Sequence, residues 1–411
     1  MNDFSKQEVV LFNMVVDGFD TDNTVAKRAA KFSKPGKDMQ DMGDTVWRPS
    51  AMISTVVEGL DVSSAFGTVS ELSVPATLST ITNVAWQLDA KELRNPDYMK
   101  RKARSGYQAL SAAVNRSIAL AIKNRGSLAI ARTGALTGYD DIAAVNALMK
   151  KNDIVGNQTM ILNPDDYNGM AGNIAARTLT KRSEDAYSEA YLGNVAGFET
   201  FNTAFSPPMT AQAATPTVNG AQRYVPTAMS TAATGEKALV DNRQMSLTIS
   251  STAGLNVGDK FNIPNVNALS HINKYDTGAL KTFTILSVDT GTTMTISPPI
   301  VVGDGSSDIE DDYANCTAVA ANSAQLAFLN ANAANANTFF IDDSIEIFSG
   351  RLAFDNMPGV AVMRAMTDSG LEIVFAKGGD VGTGKLSSRL TIFHGATNLN
   401  PEMNGVMFGG Q

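Results

Sequence analysis

Apolar and polar residues alternate most regularly in the middle of the chain. Residues 244–250, 282–288 and 293–297 alternate with a period of two, which is typical of β-strands with one buried face. Asp289, Thr290 and Gly291 separate the last two segments and predict a hairpin turn. Several short strands with turns between them indicate a small barrel or sandwich. We therefore expect a β-domain between about residues 217 and 299.

A period near 3.6 residues replaces this alternation after residue 95. Asn95 is a good helix N-cap, Pro96 suits the first helical position, and Asp97 lies near the positive end of the helix dipole. Apolar residues then recur at spacings of three and four up to Ile122, and Gly126 supplies a stop. The pattern predicts a helix over residues 96–124, which would be about 43 Å long at the usual helical rise.

A second helical pattern lies near the N-terminus. Val9, Phe12, Val16 and Phe19 are spaced by three and four residues, so a helix would place them on one face. A short amphipathic helix is marginal in isolation and becomes ordered by docking. Two docking sites are open at this point: the core of its own subunit, or a surface of another molecule.

The remaining elements are predicted more coarsely. Residues 45–86 have extended character and predict either a hairpin that projects from the body or an ordinary pair of core strands. The Ala- and Asn-rich segment 314–336 is predicted to be helical in its middle. Helices are also predicted over residues 140–152, from Asn163 onwards and over 184–192, and strands over 159–162, 198–201, 338–348, 370–375 and 390–393.

Composition restricts the class of protein. The 411 residues are enough for two or three domains, each with its own core. The net charge of −8 gives the chain no global attraction to nucleic acid, although a protein that touches DNA in passing is compatible with it. A single cysteine, Cys316, excludes an intrachain disulfide bond and fits a reducing cytoplasm. The apolar stretches are too short to span a membrane and no targeting segment is evident, so we expect no membrane partner.

The chain carries little that suggests catalysis. Residues 379–385 have the spacing of a phosphate-binding loop, but Leu386 stands where a Ser or Thr would hold Mg²⁺. The residues that follow alternate as in a strand, which favours a glycine-rich hairpin. His271, His394 and Cys316 are not spaced as metal ligands or as a nucleophile and its base. We therefore predict no catalytic, cofactor-binding or metal-binding residue, and a structural protein rather than an enzyme.

Two charged clusters remain. The acidic residues between 304 and 312 lack the spacing of a calcium-binding loop and predict a solvated loop. Lys100, Arg101, Lys102 and Arg104 lie on the predicted long helix and could face nucleic acid or acidic residues of a partner. Because no aromatic residues are interleaved with them, a solvated or subunit-contacting face is favoured.

The order of these elements resembles that of the major capsid (coat) proteins of tailed phages with the HK97 fold. The inserted β-domain narrows the resemblance to the phage P22 type. The segments that carry the resemblance are residues 161–167, 195–198, 217–222, 240–243 and 258–260, with a tail that contains Gly395, Pro401, Glu402, Gly405, Val406, Gly410 and Gln411.

The resemblance implies an α+β fold with a long spine helix, an extended hairpin, a central α/β domain and an inserted antiparallel β-barrel domain. The implied domains are an N-terminal arm at residues 1–44, an extended loop or hairpin at 45–90, the spine helix of the peripheral domain at 91–126, a central axial domain at 127–216 and 337–369, the inserted β-barrel at 217–336 and the C-terminal strands of the peripheral domain at 370–411.

The resemblance also implies a function. Such a protein self-assembles as pentamers and hexamers into an icosahedral shell around double-stranded DNA, first as a procapsid on a scaffolding protein and then expanded when DNA is packaged. The implied partners are further copies of the chain, a scaffolding protein, a portal protein and packaged DNA bound without sequence specificity, with no cofactor. The shell would assemble in the host cytoplasm and become part of the virion. The alternative is another virion component, such as a tail or decoration protein.

Two pairs of charged residues are candidate contacts in such a shell. Asp17 and Asp20 lie beside the apolar stripe of the N-terminal helix and are candidates for a salt-sensitive contact with basic residues of the scaffold. Glu236 and Lys237 lie in a loop, residues 228–239, that is shorter than in the type member. They are candidates for a reciprocal contact between capsomers across a local two-fold axis, and a free solvated loop is the equal alternative.

Overall fold

The fold is described from a computed structural model of the chain and is a mixed α+β fold. The structure describes residues 4–23, 25–31, 44–50, 60, 71–89, 91–92, 95–176, 181–303, 308–354, 357–380 and 382–411. The chain divides into two compact units. Unit 1 contains Met1–Val46, Ala76–Ile118 and Ile345–Thr397, and unit 2 contains Trp47–Pro75, Ala119–Ser344 and Asn398–Gln411.

The helices differ widely in length. The α-helices of the described residues are α1 (Lys6–Asp22), α2 (Pro96–Arg125), α3 (Tyr139–Lys151), α4 (Pro164–Ala175), α5 (Lys181–Glu189) and α6 (Asp308–Asp312). Helix α2 has 30 residues and is the spine helix that the sequence predicts. The Asn95 side chain accepts a hydrogen bond from the backbone N–H of Asp97 at 3.1 Å, as expected for an N-cap.

The strands fall into several sheets. The strands of the described residues are β1 (Ala30–Lys31), β2 (Thr45–Pro49), β3 (Ser73–Thr77), β4 (Thr80–Asp89), β5 (Leu128–Ala131), β6 (Gln158–Leu162), β7 (Asn194–Val195), β8 (Phe198–Asn202), β9 (Pro208–Met209), β10 (Met229–Thr231), β11 (Lys237–Leu239), β12 (Met245–Thr248), β13 (Lys260–Leu269), β14 (Asp276–Val288), β15 (Thr293–Ser297), β16 (Ala327–Phe328), β17 (Ala334–Asn335), β18 (Asn337–Ile341), β19 (Ile345–Ser349), β20 (Ala361–Met366), β21 (Glu372–Asp380), β22 (Lys385–Asn398) and β23 (Asn404–Phe408).

Unit 1 is built on a six-stranded sheet. Its order is β1-β19-β22-β21-β20, and β4 also pairs with β22. The β4–β22 ladder is antiparallel and runs from the pair Asp89–Lys385 to the pair Thr80–His394. Aromatic rings cover one face of this sheet, because Phe375 lies 6.2 Å from Trp86 and 6.4 Å from Phe12 of α1, measured between ring centroids.

Unit 2 contains a six-stranded sheet with the order β5-β23-β18-β6-β8-β7. Strand β18 lies near its centre and is buried along its whole length. Helices α3 and α4 contribute Val145, Met149 and Met170 to a core that also contains Phe198 and Phe339. Strand β23 and all of β6 except Gln158 are buried, as expected for strands that are covered on both faces, whereas β8 alternates between buried and more exposed residues.

A second, antiparallel sheet lies between β8 and β18 in the sequence. Its order is β12-β15-β14-β13-β16, and it includes the three segments whose alternation predicts strands. Phe261 and Phe283 are fully buried and their ring centroids are 5.7 Å apart. Single bridges from Val218 to Ile249 and from Ala268 to Cys316 attach further chain to this sheet.

This antiparallel sheet holds the C-terminal end of the spine helix. Lys260 is fully buried, and its Nζ donates to the carbonyl oxygens of Lys123 at 2.9 Å and Gly126 at 2.5 Å. The Oγ1 of Thr284 lies 2.7 Å from the same Nζ and donates to the Gly126 carbonyl at 2.8 Å. The Oγ of Ser297 donates to the carbonyl of Arg125 at 3.3 Å. These donors satisfy carbonyl groups that have no partner within a helix. We call Lys260, Thr284 and Ser297 the helix clamp.

The turn before β13 brings the clamp against the helix. Gly258 has a φ of +88°, a conformation that favours glycine, and a Cβ there would displace the end of the Lys123 side chain, whose Nζ would lie 2.4 Å away. The neighbouring Asp259 is buried and accepts hydrogen bonds from Gln212 at 2.8 Å and Asn330 at 2.9 Å. Burial and the charge of Lys123 lower the pKa of Lys260 well below its usual value, whereas Asp259 opposes this shift.

Several expectations are corrected by the structure. The middle of residues 314–336 is not helical, because it forms turns, isolated bridges and strand β16 at the margin of the antiparallel sheet. The single strand predicted over 338–348 is two strands, separated by a 3₁₀ turn at Asp342–Ser344. Residues 51–59, 61–70 and 90 of the predicted hairpin at 45–90 lie outside the described residues, and β2 and β3, which flank the first two of these gaps, pair with each other.

We predict that residues 210–331 fold in isolation. The fragment contains the antiparallel sheet and its core, so it should give a β-type circular dichroism spectrum and a cooperative thermal transition. A fragment that ends at residue 320 lacks Leu326, which is 2 % exposed, and the β16 strand. Its melting temperature should be lower by at least about 10 °C, because a lost large core side chain costs about 3 kcal/mol. Equal melting temperatures, or no cooperative transition in the longer fragment, would contradict the prediction.

Candidate assembly surfaces

Helix α1 packs on the sheet of its own unit. Its capping box joins Ser5 and Glu8, and the Glu8 carboxylate also accepts from the Nζ of Lys377 at 2.8 Å. Phe12, Val15 and Phe19 are buried, so the apolar face is turned slightly from the predicted one. Among the docking sites that the sequence leaves open, this contact is with the helix's own unit.

The two candidate acids of α1 differ in their surroundings. Asp17 is exposed. The Asp20 carboxylate accepts the backbone N–H of Asp368 at 3.0 and 3.1 Å. Burial raises the pKa of Asp20, although the hydrogen bond from Asp368 opposes this. Asp20 therefore contributes to docking of the helix, whereas the Asp17 carboxylate faces solvent.

Glu236 and Lys237 lie at the tip of a projecting hairpin. Strands β10 and β11 pair antiparallel from Met229–Leu239 to Thr231–Lys237, and every residue from 229 to 238 is exposed. Their two-stranded sheet is separate from the other sheets of the described residues. We call residues 229–239 the exposed hairpin.

A single amide fixes the base of this hairpin. The Oδ1 of Asn242 accepts from the Thr227 backbone N–H at 3.0 Å and from the Tyr224 hydroxyl at 2.9 Å. Its Nδ2 donates to the carbonyls of Thr227 at 2.9 Å and Val240 at 3.1 Å. The partners of the Asn242 side chain all lie on the two chain segments that enter and leave the hairpin, so this amide sets the direction of the hairpin at its base.

Residues beside Asn242 connect the hairpin base to the spine helix. Asp241 accepts two hydrogen bonds from the guanidinium of Arg243, both at 2.8 Å, and one from its backbone N–H at 3.2 Å, and it lies 3.4 Å from Arg125. Burial would raise the pKa of Asp241, but the hydrogen bonds and charge of Arg243 and the charge of Arg125 lower it. Burial and the nearby Arg243 lower the pKa of Arg125 to about 10, so it remains charged at neutral pH.

A second ion pair joins the antiparallel sheet to the C-terminal segment. The Nζ of Lys281, on β14, lies 2.5 Å from the Glu402 carboxylate, and the same oxygen accepts from Asn315 at 2.9 Å. The Nδ1 of His271 lies 3.8 Å from the other oxygen. Burial would raise the pKa of Glu402, but the charges of Lys281 and His271 hold it well below its usual range.

The segments and side chains considered for catalysis, the glycine-rich segment 379–385 and Cys316, have the following surroundings in the structure. Asp380 pairs with Lys385 in the β21–β22 hairpin, so the glycine-rich segment joins two strands and does not open a helix. Cys316 is buried, and burial raises the pKa of its thiol to about 12. Among the described residues, no group of three or more His, Cys, Asp or Glu side chains is placed to hold a metal ion.

Two groups were not predicted from the sequence: the helix clamp, and the cluster of Glu402 with Lys281, His271 and Asn315, which we call the Glu402 cluster. The available signal was indirect: Lys260, Asp241 and Glu402 all lie in segments that carry the family resemblance. Their partners are distant in sequence, as in the separation of 137 residues between Lys260 and Lys123.

Comparison with known proteins decides the family. A family model described as "P22 coat protein - gene protein 5" matches residues 1–410.

The chain belongs to the P22 coat protein family.

Solved structures show more distant or partial likeness. The CUS-3 coat protein I-domain is 37% identical, with 29% of this chain and 99% of that chain covered and a TM-score of 0.23. The capsid of the cyanophage P-SCSP1u is 12% identical, with 93% and 86% covered and a TM-score of 0.43. A Mycobacterium phage Che8 chain is 9% identical, with 90% and 87% covered and a TM-score of 0.42.

Membership of this family establishes the function. The chain is a major capsid protein of a bacteriophage, and copies of it assemble into capsomers and form the shell of the virion. The family consists of structural capsid proteins. It does not support the alternative of a tail or decoration protein. None of the helices that the structure describes combines the length and apolar character that a membrane crossing requires.

We predict that the Glu402 cluster makes the coat protein sensitive to acid. Because the pKa of Glu402 is lowered on folding, its charge stabilises the fold above about pH 4.3 and this contribution is lost as the pH falls further. Glu402→Gln should lower the free energy of urea unfolding by about 2–3 kcal/mol at pH 7, and the difference should shrink below pH 4. The control is Glu236→Gln at the exposed hairpin, which should match the wild type throughout. A deficit that stays constant from pH 7 to pH 3 would contradict the assignment.

Proposed function

We propose that this coat protein has the HK97-type fold with an inserted antiparallel β-barrel domain, and that it builds an icosahedral shell of pentamers and hexamers around double-stranded DNA. One topological observation supports the insertion. Strands β6 and β18 are hydrogen-bonded neighbours, yet the whole antiparallel sheet β12–β16 lies between them in the sequence. A separate sheet placed between two paired strands is the arrangement that an inserted domain produces.

The shell assembles in the host cytoplasm on a scaffolding protein, incorporates a portal protein, and expands when DNA is packaged. Coexpression of the full chain with its scaffolding protein tests this assembly. Electron microscopy should show closed particles made of pentamers and hexamers. A subunit that remains monomeric under every assembly condition, with no particles in the micrographs, would refute the proposal.

Asp17 is the better placed of the two candidate scaffold contacts. Its carboxylate faces solvent on α1, whereas Asp20 already accepts a backbone N–H within unit 1. An exposed acid can attract a basic segment of the scaffold, and salt would screen this attraction over about 8–10 Å. Such a contact suits a partner that must leave when DNA enters.

We therefore predict that Asp17→Asn weakens scaffold binding by about 0.5–1 kcal/mol at low salt, because it removes one exposed charge with little change of shape. Asp20→Asn should have a smaller effect on binding, because the Asp20 carboxylate already accepts a backbone N–H, and it should leave subunit stability nearly unchanged, because Asn keeps an acceptor oxygen and burial disfavours the charge. Binding would be measured by titration of labelled scaffold at several salt concentrations, with Asp140→Asn on α3 as the exposed control. If scaffold affinity and its salt dependence are the same in the Asp17 variant and the wild type, the N-terminal helix has a structural role only.

The exposed hairpin supplies the contact between capsomers. A projection of ten exposed residues with its direction fixed at Asn242 can reach a neighbouring molecule without disturbing its own unit. At a local two-fold axis, Glu236 of one copy would face Lys237 of the next, and the reverse pair would form at the same time.

We predict that Glu236→Lys lowers the yield and salt resistance of particles and leaves the melting temperature of the subunit within about 1 °C of the wild type. The double variant Glu236→Lys with Lys237→Glu restores opposite charges across the axis and should recover most of the yield. Particle yield would be measured by sedimentation. Normal particles from the single variant, or a double variant as defective as the single one, would exclude the reciprocal contact.

A further inference from the structure

The N-terminal third of the spine helix carries several positive charges that form no ion pair with a carboxylate of the described residues. Residues 98–139 contain eight basic residues and no acidic one, in a chain whose net charge is −8. Four of the eight have partners: Arg125 pairs with Asp241, Arg132 with Asp141, Lys123 donates to the Val257 carbonyl, and Arg116 is also in contact.

The other four are Lys100, Arg101, Lys102 and Arg104, which we call the basic helix face. Lys100, Arg101 and Arg104 are exposed, and residues three and four apart share one side of a helix. Arg101 and Lys102 lie 5.9 and 5.6 Å from the centroid of the Tyr98 ring. Within the described residues, none of the four forms an ion pair with a carboxylate.

This concentration of charge is unfavourable for the helix itself. Lys100 and Arg104 are like charges four residues apart, which repel each other. A helix face with such repulsion is expected to gain from an anionic partner.

The sequence pattern favours a solvated or subunit-contacting face, but the exposed residues that surround the four basic side chains in the structure favour nucleic acid over an acidic protein surface. The exposed residues that continue the face along the helix are Ser105, Gln108, Ala109 and Ala112, and none is a large apolar residue. Protein interfaces have an apolar core and are depleted in lysine. A row of basic side chains without such a core is instead typical of binding to the phosphate backbone, which needs charge and no sequence recognition.

We propose that the basic helix face contacts the phosphate backbone of the packaged DNA. The inference rests on the proposed function in one respect, since it takes packaged DNA as the partner. It adds the residues that make the contact and the prediction that a neighbouring subunit does not cover them.

Lysine acetylation of assembled particles tests whether the basic helix face contacts packaged DNA. Lys100 and Lys102 would be compared with Lys150 and Lys151, which are exposed on α3. Acetylation would be measured by mass spectrometry in DNA-filled particles, in particles opened and treated with nuclease, and in free subunits. Lys100 should react at least five-fold less in filled particles than in emptied ones, whereas the control lysines should not change between the two.

Two other outcomes would overturn the proposal. Equal protection of Lys100 in filled and emptied particles, with reactivity only in free subunits, would place the face against another subunit or an acidic protein. Equal reactivity in all three samples would make it a solvated surface.

DNA binding by free subunits separates this inference from the proposed function, because it requires no shell. Arg101→Gln with Arg104→Gln would be compared with Lys150→Gln with Lys151→Gln, which removes the same charge. Anisotropy of a labelled random-sequence duplex gives the affinity at several salt concentrations. The slope of log K against log salt should become shallower by about 2 in the first variant, roughly 0.9 per lost phosphate contact, and stay unchanged in the control. An unchanged slope in the first variant, or the same change in both, would overturn the proposal even if particles form normally.

Discussion

The end of the spine helix depends on one buried lysine. The Nζ of Lys260 has three acceptors, two of them carbonyl oxygens at the C-terminal end of α2. A helix end inside a protein leaves carbonyl groups that cost roughly 1–3 kcal/mol each when they have no partner. The clamp removes this cost by providing donors to these carbonyl groups. It is also what joins the antiparallel sheet to the helix, because the donors come from three different strands of that sheet.

The contacts around the helix clamp give a structural role to residues of two segments that carry the family resemblance, 240–243 and 258–260. Gly258 allows the turn against Lys123, Asp259 holds the loop through Gln212 and Asn330, and Asn242 sets the direction of the exposed hairpin. These residues do no chemistry in the catalytic sense. They fix the geometry of the turn before β13 and of the hairpin base within the subunit.

The sequence predicted an element well when residues within that element marked both its ends and its repeat of apolar positions. The spine helix was predicted over 96–124 and is Pro96–Arg125, because an Asn-Pro-Asp start and a long apolar repeat agree. Strand β15 has the predicted bounds. The predicted helix in 314–336 is wrong because Ala favours a helix by propensity alone, whereas this segment instead pairs at the margin of a sheet and Asn side chains compete for backbone groups.

Lys260 could not be predicted as part of the helix clamp, since nothing near it in sequence shows which carbonyl groups its Nζ contacts. Of the candidate contacts, exposure of Asp17, Glu236 and Lys237 followed from their polar settings, but the backbone contact of Asp20 did not.

Hydrogen exchange at the helix end tests the account most directly. Amides of residues 121–126 would be followed by mass spectrometry in the wild type, in Lys260→Met, and in Lys151→Met as an exposed control. Loss of the clamp should speed exchange of these amides by at least about 10-fold, a change of about 1.4 kcal/mol in local opening, while residues 100–110 of the same helix keep their rates. Lys260→Arg, which retains donors, should fall between the two. Unchanged exchange at 121–126 in Lys260→Met would show that the helix end does not depend on the antiparallel sheet.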